Sequence, residues 1–119
     1  MKNLTKAEEQ VMQIVWKLGE AYLKDVVDEF NDPKPHSNTV ATLLKILVEK
    51  QYVETIHHGR IFLYKPLISK EAYSKGTMKT VVENFFEGSF SNAVSFMIDN
   101  KDLKVDDLEL ILQQLKNKK

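Results

Sequence analysis

Between residues 37 and 66 the hydrophobic period of the chain changes once, at Gln51, and that change limits the folds open to it. In "SNTVATLLKILVEK", at about 100° per residue, Val40, Leu43, Leu44 and Leu47 stack on one stripe, the mark of an amphipathic helix. After Gln51, "YVETI" and "RIFLYK" are rich in β-branched and aromatic residues, and "HHG" between them has the length of a hairpin turn. Pro66 ends the second strand. A helix therefore feeds directly into a β-hairpin.

Two further helices precede it. "LTKAEEQVMQIVWKLGE" carries an N-cap at Thr5 with Glu8 at capping-box spacing, then Val11, Ile14, Val15 and Leu18 in helical period, and Gly19 as a stop. Leu23, Val26, Val27 and Phe30 make a second short helix, and the segment from Asn31 to Pro35 is a loop. The third helix is expected to begin at a Ser37 cap. From Ser69 onward the pattern is helical again. Ser69 caps a helix carrying Tyr73, Val81, Val82, Phe85 and Phe86, and Gly88 closes it. A helix over roughly Ser91 to Asp99 and another from about Val105 follow. The class is mainly α with a small β-hairpin: a winged helix-turn-helix domain over residues 1–68, then a C-terminal helical domain over 69–119.

The outer face of the third helix points to a function. Asn38, Ala41, Thr42 and Lys45 lie opposite the apolar stripe, and Asn and Thr are weaker helix formers than the Glu, Lys and Gln of an ordinary solvated face. A helix in the major groove needs such short polar residues, because Asn can pair with adenine and a Thr methyl can meet thymine. Ser37 places free N–H groups where a phosphate can sit. The other reading of this face is plain solvation. Lys24, Lys34, Lys45, Lys50 and Arg60 give a basic set near the third helix and the wing, so the pull toward nucleic acid is local, since 17 basic residues balance 17 acidic ones overall. His36, His57 and His58 fall beside the same elements, as phosphate contacts or solvated side chains. They are not a metal site, because adjacent strand residues face opposite ways and no carboxylate or Cys completes a ligand set.

Other classes are excluded by inventory. No apolar run approaches the length of a membrane span, and "MKNLTKAEEQ" lacks the apolar core of a signal peptide. With zero Cys, a cytoplasmic protein is expected. No Gly-rich phosphate loop, nucleophile elbow or zinc-protease helix is present, so neither an enzyme nor a cofactor is expected. The rival to DNA binding is a winged-helix module used only for protein contacts, which would not need that basic set.

"LTKAEEQVMQIVW", "SNTVATLLKIL" and "GRIFLYKP" resemble the signature stretches of the penicillinase repressor family (BlaI/MecI/CopY), cytoplasmic winged-helix repressors. The family's first-helix pattern is met by Leu4, Thr5, Ala7, Glu8, Val11, Met12 and Trp16, its recognition-helix pattern by Thr39, Val40, Thr42, Leu43 and Leu44, and its wing by Gly59, Arg60, Tyr64 and Pro66. The resemblance implies a homodimer on a palindromic double-stranded DNA operator. Its dimer contact would lie in the C-terminal helices, at Phe85, Phe86, Phe90, Phe96, Leu108, Ile111, Leu112 and Leu115. A tail of about 50 residues cannot close a stable core alone, which a second copy would remedy; the alternative is packing back on the winged domain. Ile46 stands where many members have Arg, and Gln51 where many have Gly. The cysteine cluster of copper-sensing members is absent. Members that respond to β-lactams are cleaved by a membrane sensor peptidase at an Asn-Phe bond, and the corresponding stretch "FSNAVSFMIDN" offers Phe96-Met97 instead.

Overall fold

In the computed structural model, which describes residues 3–117, helix α1 (Lys6–Leu18) starts at the expected cap. The Glu8 backbone N–H donates to the Thr5 hydroxyl and the Thr5 N–H donates to the Glu8 carboxylate, each at 3.2 Å, which closes the capping box. Gly19, at φ 82°, ends the helix, and its N–H returns to the Val15 carbonyl at 2.9 Å. Val11, Met12 and Val15 are fully buried. They meet Val26 of α2 (Leu23–Glu29) and Val40, Leu44 and Leu47 of α3 (Ser37–Glu49) in one core.

The hairpin is β2 (Val53–His58) and β3 (Ile61–Pro66), in register from Val53↔Pro66 to His58↔Ile61. Its turn is shorter than "HHG" suggested. His57 and His58 belong to β2, and only Gly59 and Arg60 turn the chain, with Gly59 at φ 66° as a two-residue loop led by glycine requires. A third strand joins the sheet. β1 (Ala21–Tyr22) pairs antiparallel with β3 through Ala21↔Tyr64 and Tyr22↔Leu63, giving the order β1-β3-β2. Two residues are too few to show an alternating pattern, so nothing in the sequence marked them.

The exit from α3 is made without glycine. Gln51 adopts φ 67°, its N–H donates to the Val48 carbonyl at 3.0 Å, and the Tyr52 N–H donates to the Leu47 carbonyl at 2.9 Å. These are the two bonds of a Schellman motif, and its usual apolar contact is supplied by the buried pair Leu47 and Tyr52. Lys50, one residue earlier, meets the buried carboxylate of Glu8 and also donates to the Asn3 carbonyl at 2.8 Å. Glu8 thus caps α1 and neutralises the end of α3 with one side chain.

The described residues divide into two compact units between Tyr73 and Ser74. The first therefore continues past the hairpin's end into the first turn of α4 (Lys70–Phe85). That turn is held by the Trp16 indole N–H donating to the Ile68 carbonyl at 2.8 Å and by the Tyr73 hydroxyl donating to Glu9 at 2.9 Å. In the second unit α4 is followed by α5 (Phe90–Asp99) and α6 (Val105–Asn117). Ser89 caps α5, accepting from the Asn92 N–H at 3.1 Å, so the helix starts slightly before the expected Ser91. Phe86 and Phe96 pack edge to face at 5.4 Å, and Val82 is buried, but no described residue of α5 or α6 is.

The first prediction concerns Glu8. Its hydrogen bond from Lys50 holds the carboxyl below the ordinary value of 4.5, against the opposing effect of burial. Stabilisation from a depressed carboxyl is complete above the unfolded value and is lost as pH falls through the folded one. Glu8→Gln should therefore lower the urea midpoint at pH 7, and the gap from wild type should close below about pH 4.5. A gap that persists unchanged to pH 3 would place the effect elsewhere. The second concerns Gln51. A left-handed non-glycine residue costs about 1–2 kcal/mol, of which glycine's greater unfolded freedom returns roughly half. Gln51→Gly should stabilise the protein by up to about 1 kcal/mol in urea unfolding, and a destabilised variant would contradict the strain.

Candidate nucleic-acid interface

One side of α3 is committed to the core, with Val40, Leu44 and Leu47 at 0% exposure, and this fixes what the other side presents. Ser37, Asn38, Thr39, Thr42 and Lys45 are all exposed. Among the described residues the side chains of Ser37, Asn38, Thr39 and Lys45 have no partner, which leaves them available to a ligand. Thr42 differs: its hydroxyl donates to the Asn38 carbonyl at 2.9 Å. The proton is spent inside the helix, so Thr42 offers its methyl group outward. Ile46, where a basic residue was noted as missing, is half-buried.

The start of α3 corrects the expected cap. His36, not Ser37, is the N-cap: its ring Nδ1 accepts from the Asn38 N–H at 3.0 Å. In the neutral ring the proton must then sit on Nε2, where it can be donated to a phosphate. The Thr39 N–H folds back to the His36 carbonyl at 3.0 Å, so among the first-turn N–H groups only that of Ser37 stays free. The anion cradle is thus narrower than the sequence suggested.

The basic set also shrinks. Lys34 donates to the Asp28 and Phe30 carbonyls at 2.8 and 2.7 Å, closing the C-terminal end of α2, and Lys50 is held by Glu8. Both belonged to the basic set near the third helix and the wing because the sequence shows charge but not its partner. Lys24, Lys45 and Arg60 remain exposed and unpaired among the described residues. Residues 33–48 and 55–65 contain no Asp or Glu, although Glu20 lies 3.9 Å from Lys65 at the far end of the hairpin. An overall neutral chain thereby keeps two stretches that a polyanion can approach.

On the wing, Arg60 occupies the turn. The His57 ring packs at right angles to Phe62 at 4.5 Å, while His58 Nδ1 lies 2.9 Å from the Tyr22 hydroxyl. That second bond ties β1 to β2 across the central strand. Sequence reasoning missed Tyr22, Ile61 and Phe62. A signal for the last two existed, since neighbouring apolar residues on a strand face opposite ways and one of them had to be outside. Elsewhere in this unit, a shallow depression lined by Leu18, Asp25, Asp28 and Glu29 collects three carboxylates, two of them already engaged. Asp25 accepts from the Tyr22 N–H at 2.9 Å, and Glu29 pairs with Lys17 at 3.0 Å. No helix among the described residues is long and apolar enough to cross a membrane.

Comparison with known proteins gives the chain its relatives. Residues 4–117 match the family described as penicillinase repressor. The chain is 27% identical over 121 residues to the penicillinase repressor of Bacillus licheniformis, covering 98% of this chain and 94% of that protein. It is 27% identical over 118 residues to the methicillin resistance regulatory protein MecI of Staphylococcus aureus (strain N315), covering 98% and 95%. Among solved structures, the monomeric form of Bacillus licheniformis BlaI in complex with the blaP half-operator superposes with TM-score 0.51 at 27% identity, over 60% of this chain and 89% of that one.

Proposed function

The chain belongs to the penicillinase repressor family, and from that premise we propose that it is a DNA-binding transcriptional repressor acting as a homodimer on a palindromic operator. The carrying observation is the outer face of α3: exposed, short, uncharged but for Lys45, with the Asn38 side chain unpaired and the Thr42 methyl turned outward. Asn38 and Thr42 read base edges, Thr39 and Ser37 line the same groove, and His36, Lys45 and Arg60 hold phosphates. His57 and His58 brace the wing that carries Arg60. The protein works in the cytoplasm, and an unidentified signal releases it.

The second unit supplies the dimer contact. Phe85, Phe90, Phe96, Ile111, Leu112 and Leu115 are exposed at 76, 55, 52, 43, 55 and 57%, a density of apolar surface that water does not tolerate on a working protein. Phe86 and Leu108, half-buried, lie behind that surface.

Two predictions test this reading, using a duplex that the wild-type protein selects from a random pool and an unrelated duplex of equal length. Asn38→Ala or Thr42→Ala should cost roughly 1–3 kcal/mol on the selected duplex and little on the other, because a base contact counts only where the base is present. Arg60→Ala should weaken both alike and reduce the slope of log affinity against log salt by about one. Equal losses for Thr42→Ala on both duplexes would remove α3 as the reader. For the dimer, Leu112→Asp places an uncompensated charge in the contact at a cost of several kcal/mol. Analytical ultracentrifugation should show the variant as a monomer, with affinity for the full site reduced to that for a half site. A wild-type monomer at micromolar concentration would sink the proposal.

A further inference from the structure

The C-terminal end of α2 is one that its own backbone does not complete. A helix commonly closes through a left-handed residue, and N–H groups just beyond it return to the last carbonyls. Here Phe30 is extended, at φ −73° and ψ 148°, none of residues 30–36 is left-handed, and Pro33 and Pro35 have no N–H to give. The last turn also lacks a basic residue and carries Asp28 and Glu29, so acidic side chains stand at the negative end of the helix. Lys34 supplies the missing donor and the missing charge from outside the helix. Its ammonium donates to the Asp28 carbonyl at 2.8 Å and to the Phe30 carbonyl at 2.7 Å.

Those two bonds lie on the route from α2 to the outer face of α3. The Phe30 N–H donates to the Val27 carbonyl at 3.2 Å, its carbonyl is held by Lys34, and its side chain packs against the core that contains Val26, Val40 and Leu44. Two residues beyond Lys34, His36 opens α3. Its carbonyl accepts from the Thr39 and Val40 N–H groups at 3.0 and 3.3 Å, and its ring accepts from that of Asn38 at 3.0 Å. Only Pro35 separates the clamp on α2 from the cap of α3, and a proline, with φ fixed and the residue before it restricted, leaves little slack. We infer that Lys34 is a positioning residue for DNA recognition: by fastening the loop to the end of α2 it sets where α3 begins and how Asn38 and Thr42 face the bases, without touching DNA itself. This rests on the operator-binding reading and adds to it a cation that serves sequence discrimination instead of charge neutralisation.

The experiment uses the full chain, the duplex that the wild-type protein selects from a random pool and an unrelated duplex of equal length. Lys34→Met keeps most of the apolar stem and removes the ammonium. It should weaken binding to the selected duplex about tenfold, the worth of roughly one base contact, and binding to the unrelated duplex less than about twofold, with the slope of log affinity against log salt unchanged. Lys34→Arg returns a cation to the same carbonyls and should recover most of the lost affinity. A second arm needs no DNA. Hydrogen exchange at the Asn38, Thr39 and Val40 amides should quicken severalfold in Lys34→Met and keep the wild-type rate in Lys34→Arg, while the α1 amides stay as slow as in wild type and so report an intact fold. A salt slope smaller by about one, or equal losses on the two duplexes, would make Lys34 a phosphate contact and overturn the inference. So would wild-type affinity or unchanged exchange in Lys34→Met, or an arginine variant no better than the methionine one. If the wild-type protein selected no duplex, the operator reading itself would fall, and the exchange arm would still decide whether Lys34 holds the start of α3.

Discussion

A single ion pair, Glu8 with Lys50, fixes the far end of α3, the helix whose outer face is proposed to read DNA. Glu8 is buried, so its charge is tolerable only beside a cation, and Lys50 lies where α3 ends and the chain turns into the sheet. The same carboxylate caps α1, which locks the start of one helix to the end of another. Two residues later Tyr52 is buried, and β2 begins at Val53. The direction of the wing therefore follows from the same junction that sets the position of α3. At the other end His36 closes the helix with its ring, so both termini of α3 are held by side chains.

Local pattern made much of this legible. The capping box, the stripe of Val40, Leu43, Leu44 and Leu47, and the change of period at Gln51 each depend on residues close in sequence, and each appears where it was read, with Leu43 half-buried at the edge of the stripe. What failed to show were features whose cause lies far along the chain. β1 exists because Ala21 and Tyr22 find β3 some forty residues on, and Lys50 stops being a free cation because of Glu8. Lys34 left the free basic set through a shorter link, the carbonyls of Asp28 and Phe30, which are visible only once α2 has ended. At Gln51 the sequence lacked the usual glycine, yet Leu47 and Tyr52 supplied the apolar contact that makes the turn worth its strain.

In the second unit local signals and burial part company. Ser89 caps α5 and the Asp107 carboxylate accepts from the Lys104 N–H at 3.0 Å, so the helix starts are well specified. The apolar faces those helices create are nevertheless open. Helices of 10 and 13 residues draw most of their stability from packing such faces rather than from propensity. A sequence that specifies the helices but leaves their faces bare is complete only with another surface against it, which is why a second copy is the proposed answer.

The small number of free cations around α3 and the wing bears on how such a protein would hold DNA. Of the basic set there, Lys34 and Lys50 are engaged internally and Lys24, Lys45 and Arg60 remain, and each phosphate contact would add only one increment of counterion release. Affinity from charge alone is thus limited, and so is indiscriminate binding to any duplex. On the proposed reading the balance comes from the short side chains on α3, which depend on sequence, and from the linkage of two such units. Joining two weak readers converts the second binding step into an intramolecular one, with an effective concentration on the order of millimolar for short connections. A repressor built this way would be sensitive to anything that separates its copies, because the unit that joins them contributes the affinity that the cations do not.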